Sequence, residues 1–357
     1  QAPLWMRYPA ISPDGKTIVF SYKGDIYSVP ATGGEARQLT TNAAHDSYPI
    51  WSPDGKKIAF ASNREGSFDV YVMSAHGGAP TRITTNSERE IPVAFKDNDH
   101  VLFSANIMPT AESNLFASRE FSQVYEVSTQ GGRPKLYSVI PMEDISINGK
   151  GQVLYHDSKG YEDQWRKHHT SPITRDIWML DNGKYQKITA FKGEDRTPVW
   201  AADGESFYYL SEQAGSFNIY HRNIATGKEV QLTHEKKNPI RFLTSSADGL
   251  LCYGYDGEIY TVKEGAQPQK VNISITADND EPSLVRQVRS WGATEIALSP
   301  DAKEVAFVMH GDVYVTSTEY KTTKRITDTP QQERNVSFSP DGRSLVYASE
   351  RNGGWQI

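Results

Sequence analysis

The stretch Ser12-Pro13-Asp14-Gly15-Lys16 returns as Ser52-Pro53-Asp54-Gly55-Lys56 and again as Ser339-Pro340-Asp341-Gly342-Arg343. Each copy specifies a reversal, because proline presets φ, the aspartate bonds back to the chain and the glycine accepts a positive φ. Each runs into a short apolar strand: Thr17-Ile18-Val19-Phe20, Lys57-Ile58-Ala59-Phe60 and Ser344-Leu345-Val346-Tyr347. Weaker copies stand at Asp97-Asn98, Asn148-Gly149, Ala202-Asp203-Gly204, Ala247-Asp248-Gly249 and Ser299-Pro300-Asp301. From Asp14 to Asp54 is 40 residues, from Asp54 to Asp97 is 43, from Asp203 to Asp248 is 45, and from Asp301 to Asp341 is 40. A fixed period of this length marks a repeat architecture.

Further parts recur in the same order. One strand carries an Ile-Tyr-like pair, at Ile26-Tyr27, Val70-Tyr71, Val124-Tyr125, Ile177-Trp178, Ile219-Tyr220, Ile259-Tyr260 and Val313-Tyr314. A glycine pair often follows, as in Gly33-Gly34, Gly77-Gly78 and Gly131-Gly132. A last strand closes on Leu39-Thr40, Ile83-Thr84, Ile188-Thr189, Leu232-Thr233 or Ile326-Thr327. Four short strands in roughly 40–45 residues is the signature of a β-propeller blade, and no run shows sustained helical periodicity. The expected fold is therefore all-β. Six units run from Tyr8 to Asp280, after which the turn-to-turn gap stretches to 53 residues, from Asp248 to Asp301. The expected organisation is a six-bladed propeller over 1–280, a connector over 281–291, and the first blades, about one and a half, of a second, truncated propeller over 292–357. A single seven- or eight-bladed wheel is the alternative.

Composition fits many strands joined by tight turns, with 27 Gly, 19 Pro and 19 Tyr in 357 residues. The net charge of −6 gives no general support for nucleic-acid or anionic-membrane binding. No apolar run approaches the ~20 residues of a membrane helix. The single cysteine, Cys252, rules out an intrachain disulfide and reads as a buried apolar filler in its strand. The start, Gln1-Ala2-Pro3-Leu4-Trp5, reads as a mature or trimmed terminus. Export to the periplasm is the expectation from it, with a cytoplasmic location as the alternative.

At this point the repeat itself, with the entry "YPAISPDGKTIVFSYKGDIYSVPATGGEARQLT", the insertion "GYEDQWRKHHTSPITRDIW" and the re-entry "ATEIALSPDAKEVAFVMHGDVYV", resembles the propeller region of tricorn-like serine peptidases. The resemblance covers essentially the whole chain; the repeat alone is shared with TolB. It implies a six-bladed propeller followed by a seven-bladed one, then a PDZ-like domain and a catalytic core using Ser and His. The partners it implies are peptide substrates and those downstream domains, and it leaves room for a homo-oligomer of the full-length protein. The function expected is a non-catalytic region that gates or orients peptides for a serine protease in peptide degradation. The alternative is a TolB-like module that docks a protein and serves no enzyme.

The residues carry little chemistry of their own. There is no Gly-x-Ser-x-Gly elbow. His168-His169 is adjacent rather than spaced for two ligands on one face, and the acidic stretch 278–281 reads as a solvated loop. No catalytic residue, metal or cofactor is expected. Two insertions break the blade pattern, at 106–123 and 156–175, and long loops on a rigid scaffold are where binding residues tend to sit. The second packs Tyr161, Trp165, Arg166, Lys167, His168 and His169 within nine residues. By the resemblance, a basic pair from the first propeller holds a peptide's C-terminal carboxylate, a task suited to the planar guanidinium fork. Ser118-Arg119-Glu120 offers one arginine there, whereas Arg166-Lys167 is a pair with Trp165 beside it. The expected carboxylate-binding residues are Arg119, Trp165, Arg166 and Lys167.

Overall fold

The computed structural model describes residues 3–107, 121–160, 171–276 and 288–357. By its contacts the chain divides into two units, Gln1–Ala277 and Asp278–Ile357. Among the described residues every regular element is a strand.

Each repeat folds for local reasons. In the Ser-Pro-Asp-Gly turn, the serine hydroxyl donates to the aspartate, at 2.6 Å for Ser12–Asp14 and 2.7 Å for Ser52–Asp54. The same carboxylate accepts the N–H two residues on, at Lys16 and Lys56. The turn aspartate is thus a structural acceptor, and its carboxyl lies below the usual range because of the Ser12 hydrogen bond. The closing threonine is a second staple. Thr84 Oγ1 accepts the buried N–H of Val70 at 2.8 Å, and Thr40, Thr189, Thr233 and Thr327 do the same for Ile26, Ile177, Ile219 and Val313. The last strand is thereby pinned to the Ile-Tyr strand through a donor that would otherwise be buried unpaired.

The first unit holds six four-stranded antiparallel sheets, each with its strands side by side in chain order. Their first strands are Arg7–Ile11, Asp46–Trp51, Ile91–Phe95, Met142–Ile147, Asp195–Trp200 and Arg241–Ser245. Each of these touches the first strand of the sheet before and after it, and Arg241–Ser245 touches Arg7–Ile11, so the six form a closed ring. Alternate side chains face opposite neighbours. In the second sheet Ile58 and Phe60 pack with Ala10, Val19 and Ile26 of the first, while Ala59 and Val70 pack with Phe95 and Phe103 of the third. Six such clefts follow around the ring. The last joins Cys252 and Ile259 of the sixth sheet to Ile18, Phe20 and Tyr27 of the first. The ring is clasped there by a parallel pairing of Ile273–Ser274 with Gly34–Glu35. Gly33 permits the clasp, because a Cβ at its φ of +88° would lie 2.6 Å from the Asn272 carbonyl oxygen.

The second unit has one four-stranded sheet, with strands Ala293–Leu298, Glu304–Met309, Asp312–Ser317 and Thr323–Arg325, and one pair, Glu333–Phe338 with Leu345–Ser349. Ala306, Val308, Val313 and Val336 form the core between them.

Candidate functional site

The ring's innermost strands share an irregularity that the repeat motif does not announce. In all six, the pairing register with the second strand shifts near the strand's start, between Arg7 and Ala10, Ser47 and Ile50, Pro92 and Ala94, Glu143 and Ser146, Arg196 and Val199, and Arg241 and Thr244. A bulge of this kind re-aims a side chain. Five bulges place a non-glycine residue in the left-handed region: Tyr8 at φ 51°, Tyr48 at 56°, Asp144 at 50°, Thr197 at 54° and Phe242 at 61°. Such a conformation costs on the order of 1 kcal/mol or more per residue and clusters at functional sites. The five side chains form a collar at one end of the ring, in two arcs.

The aromatic arc spans the sixth, first and second sheets. Tyr8 stands between Phe242 (ring centroids 4.8 Å apart, edge-on) and Tyr48 (4.0 Å). Its hydroxyl donates to the Tyr48 hydroxyl at 3.1 Å, and Arg89 Nη2 donates to the same oxygen at 3.1 Å. The Arg89 guanidinium also lies over the rings of Tyr48 and Phe68. Burial, and then Tyr48, raise the Tyr8 hydroxyl well above its ordinary range, while the charges of Arg7 and Arg89 pull it the other way.

The polar arc lies on the fourth and fifth sheets. Thr197 Oγ1 donates to Asp144 Oδ2 at 2.6 Å. The Thr197 N–H donates to His156 Nδ1 at 3.2 Å, which leaves Nε2–H to donate to Glu143 at 3.1 Å. Arg175 joins Glu143 (3.3 Å) to the fully buried Glu194 (3.1 Å), and Arg196 pairs with Glu194 as well. Burial alone would raise the Glu143 carboxyl, but the His156 hydrogen bond and the Arg175 charge outweigh it and hold the pKa at about 2. The arc therefore presents the Glu143 carboxylate in its ionised form on a buried support.

The predicted residues Arg119, Trp165, Arg166 and Lys167 lie outside the described residues, as do His168, His169 and 278–281. The anchors of the 156–175 insertion are described. They are His156 and Arg175, both buried in the polar arc. The collar residues themselves escaped the sequence reading. A signal was present in the dipeptides Tyr8-Pro9, Tyr48-Pro49 and Thr197-Pro198, which recur a few residues before the blade turn.

One arrangement has the order of a nucleophile, base and acid: Ser206 Oγ lies 2.7 Å from His221 Nε2, and His221 Nδ1 lies 3.1 Å from Glu264. Ser206 is 1% exposed and its hydroxyl donates to Asp203 at 2.7 Å, so it holds the blade turn and cannot reach a substrate. Among the described residues no cluster of three or more His, Cys, Asp or Glu is placed to hold a metal. The collar offers charged, hydrogen-bonding and aromatic groups that can bind a ligand.

Residues 3–268 match the family described as tricorn protease N-terminal beta propeller domain. Over 364 aligned residues, covering 99% of this chain and 33% of the relative, the sequence is 24% identical to tricorn protease homolog 1 of Streptomyces coelicolor. The crystal structure of the tricorn protease has the same fold over 97% of this chain and 33% of its own, at 18% identity and a TM-score of 0.73. TolB from Acinetobacter baumannii aligns over 88% of this chain and 77% of its own, at 13% identity and a TM-score of 0.47. The chain thus spans about a third of the length of the tricorn relatives it matches.

Proposed function

This chain belongs to the tricorn protease N-terminal β-propeller family, and on that premise we propose that it is the peptide-orienting, non-catalytic region of a longer serine peptidase. The observation that carries the reading is the collar, where five strained, re-aimed side chains gather at one end of a closed ring. Strain repeated at equivalent positions of successive sheets is maintained where it positions groups for a ligand. The longer protein would supply the nucleophile, and the peptide would meet the collar on its way to or from it. In the same proposal, 292–357 begins a second propeller, supported by the turn and threonine staples it shares with the first unit.

The test is peptide hydrolysis by the full-length protein beside this chain. The full-length protein should turn over peptides and this chain should not. Asp144→Trp, a bulky group at a half-exposed collar position, should slow turnover by the full-length protein several-fold. Hydrolysis by this chain alone, or unchanged turnover by the variant, would contradict the reading.

A further inference from the structure

We propose that the clefts between the second and third sheets, and between the fourth and fifth, are proton-held latches, closed by a neutral carboxyl at Glu90 and at Asp195 and loosened when those carboxyls ionise. The device belongs to the ring and does not rest on the peptide-orienting reading.

At the start of a first strand, one backbone N–H donates to the preceding sheet. Asp46 donates to Gly24, Glu90 to Phe68, Asp195 to Arg175, Ile240 to Phe217 and, in the second unit, Glu333 to Gly311. The residue after each acceptor is Asp25, Asp69, Asp176, Asn218 or Asp312, in that order. Four of these junctions therefore carry an acid on each side, and the fifth, Ile240 with Asn218, is uncharged. The acids differ in what answers them. Where an arginine stands two residues past the end of the second strand, it reaches the acid: Arg64 lies 2.7 Å from Asp46, and Arg351 lies 3.9 Å from Glu333. By the pairings of Ile91 with Ser104 and of Asp195 with Ser211, the same place holds Ile107 in the third sheet and Gln213 in the fifth. Neither carries a charge.

Glu90 and Asp195 are both buried, and Glu90 Oε1 and Asp195 Oδ1 meet no donor among the described residues. Glu90 faces Asp69, whose own cation, Arg82, lies 3.0 Å from it, and Glu65 adds a further negative charge. Asp195 faces Asp176, held by Lys159 and by Lys187 at 2.8 Å, and Glu229, held by Arg222 at 3.1 Å, while Tyr209 beside it is neutral. The cations are thus taken, and an ionised Glu90 or Asp195 would be a buried charge without a partner of its own. A proton removes that charge, and burial raises both carboxyls to about 7. Once a cleft opens, its carboxyl meets water and ionises at its ordinary value, so the latch weakens between that value and about pH 7. The collar spans both latches. Arg89 of the aromatic arc precedes Glu90, and Thr197, which holds Asp144 from the neighbouring sheet, lies two residues past Asp195. Both arcs loosen with their latches.

The experiment is hydrogen–deuterium exchange of this chain between pH 5 and pH 7, each amide rate divided by its unfolded-chain rate at the same pH. Protection of the Glu90 and Asp195 N–H groups should fall by roughly five- to tenfold per pH unit, the linkage of one proton at each. The Ile240 N–H, at the uncharged junction, should keep its protection throughout. Glu90→Gln should abolish the fall at position 90 and leave it at 195, and Asp195→Asn should do the reverse. Thermal melting at pH 5 checks that both variants fold; if one does not, the three slopes of the unaltered chain decide alone. Flat protection at either carboxyl junction would overturn the proposal, because no proton would then be held there. An equal fall at Ile240 would overturn it as well, since the whole ring and not two clefts would be responding. So would a fall that persists at the substituted junction of a folded variant.

Discussion

The stacked pair Phe60–Tyr71 in the second sheet and the stacked pair Phe307–Tyr314 in the second unit are one sequence pattern in two environments. The rings lie 5.9 Å apart at 26° in the first and 5.4 Å apart at 12° in the second, and both pairs sit directly opposite across neighbouring strands. Phe60 is fully buried, its face covered by Ala10, Val19 and Ile26 of the first sheet. Phe307 and Tyr314 are half-exposed, and Ile296, paired with Phe307 on the same face, is 75% exposed. The repeat therefore builds a sheet from local interactions, but a sheet's second face is buried only where another sheet stands against it. Stability in the first unit resides in the clefts between sheets, and the ring supplies six of them.

The largest expected contrast is therefore between Phe60→Ala and Phe307→Ala. The first should cost about 3–5 kcal/mol of first-unit stability, as large-to-small changes do in closed cores, and the second about 1 kcal/mol or less in its own unit. Denaturant unfolding read separately for each unit checks this, and equal losses would break the comparison.

The threonine staple sharpens the contrast by serving as its control. Thr84→Val and Thr327→Val each leave a buried N–H without its acceptor, at Val70 and Val313. Both should cost about 1–3 kcal/mol in their own units, because the contact is internal to one sheet and indifferent to ring closure. A loss confined to Thr84→Val would show that the staple, too, depends on neighbouring sheets.

A third difference is set by pH. Burial raises the Glu90 carboxyl to about 7, with Asp69 adding to the shift against the opposing bonds of Thr84 and Asn86, and burial likewise raises Asp195 to about 7. A carboxyl whose folded pKa is raised contributes stability below its unfolded pKa, and the contribution is lost as pH rises through the folded value. The first unit should thus weaken between about pH 5 and pH 8. Glu90→Gln, neutral throughout, should remove up to about 3 kcal/mol of that slope. Melting at several pH values reads it, and an unchanged slope in the variant would contradict the assignment. Glu143 acts in the opposite direction: with its carboxyl held at about 2, its contribution is present above about pH 4.5 and lost in acid.

The smallest effect is at Ala302, which occupies the turn position of Gly15 and Gly55 with a φ of 61°. Ala302→Gly should stabilise the second unit by about 0.5–1 kcal/mol, the left-handed strain of alanine exceeding glycine's extra chain entropy. No gain on melting would mean that the turn tolerates a Cβ without strain.

Much of this fold is legible in the chain. The Ser-Pro-Asp-Gly turns, the Ile-Tyr strands and the closing threonines are short-range devices, and the hydrogen bonds of Ser52–Asp54 and Thr84–Val70 are made within one repeat. The weaker turn at Asn148-Gly149 differs in one detail: its left-handed glycine is Gly151, with Asn148 Oδ1 accepting from Lys150 and Gln152. The collar is not legible in the same way. Tyr8 meets Tyr48 and Phe242 only because sheets distant in sequence close into a ring, and their bulges put bulky residues where glycine would be the expected choice. A tyrosine before proline reads as extended chain. Its left-handed conformation is imposed by the bulge and the neighbouring sheets.

The collar exists only if the sixth sheet closes on the first, and the chain's single cysteine reports on that closure. Cys252 is fully buried in the cleft between those two sheets, and burial raises its thiol far above the usual range. Timed reaction of the native chain with a thiol reagent tests the closure most directly. A closed ring predicts that Cys252 reacts no faster than the first unit unfolds and reacts at once in denaturant. Rapid modification of the folded chain would mean that the cleft is open, and both the ring and its collar would be contradicted.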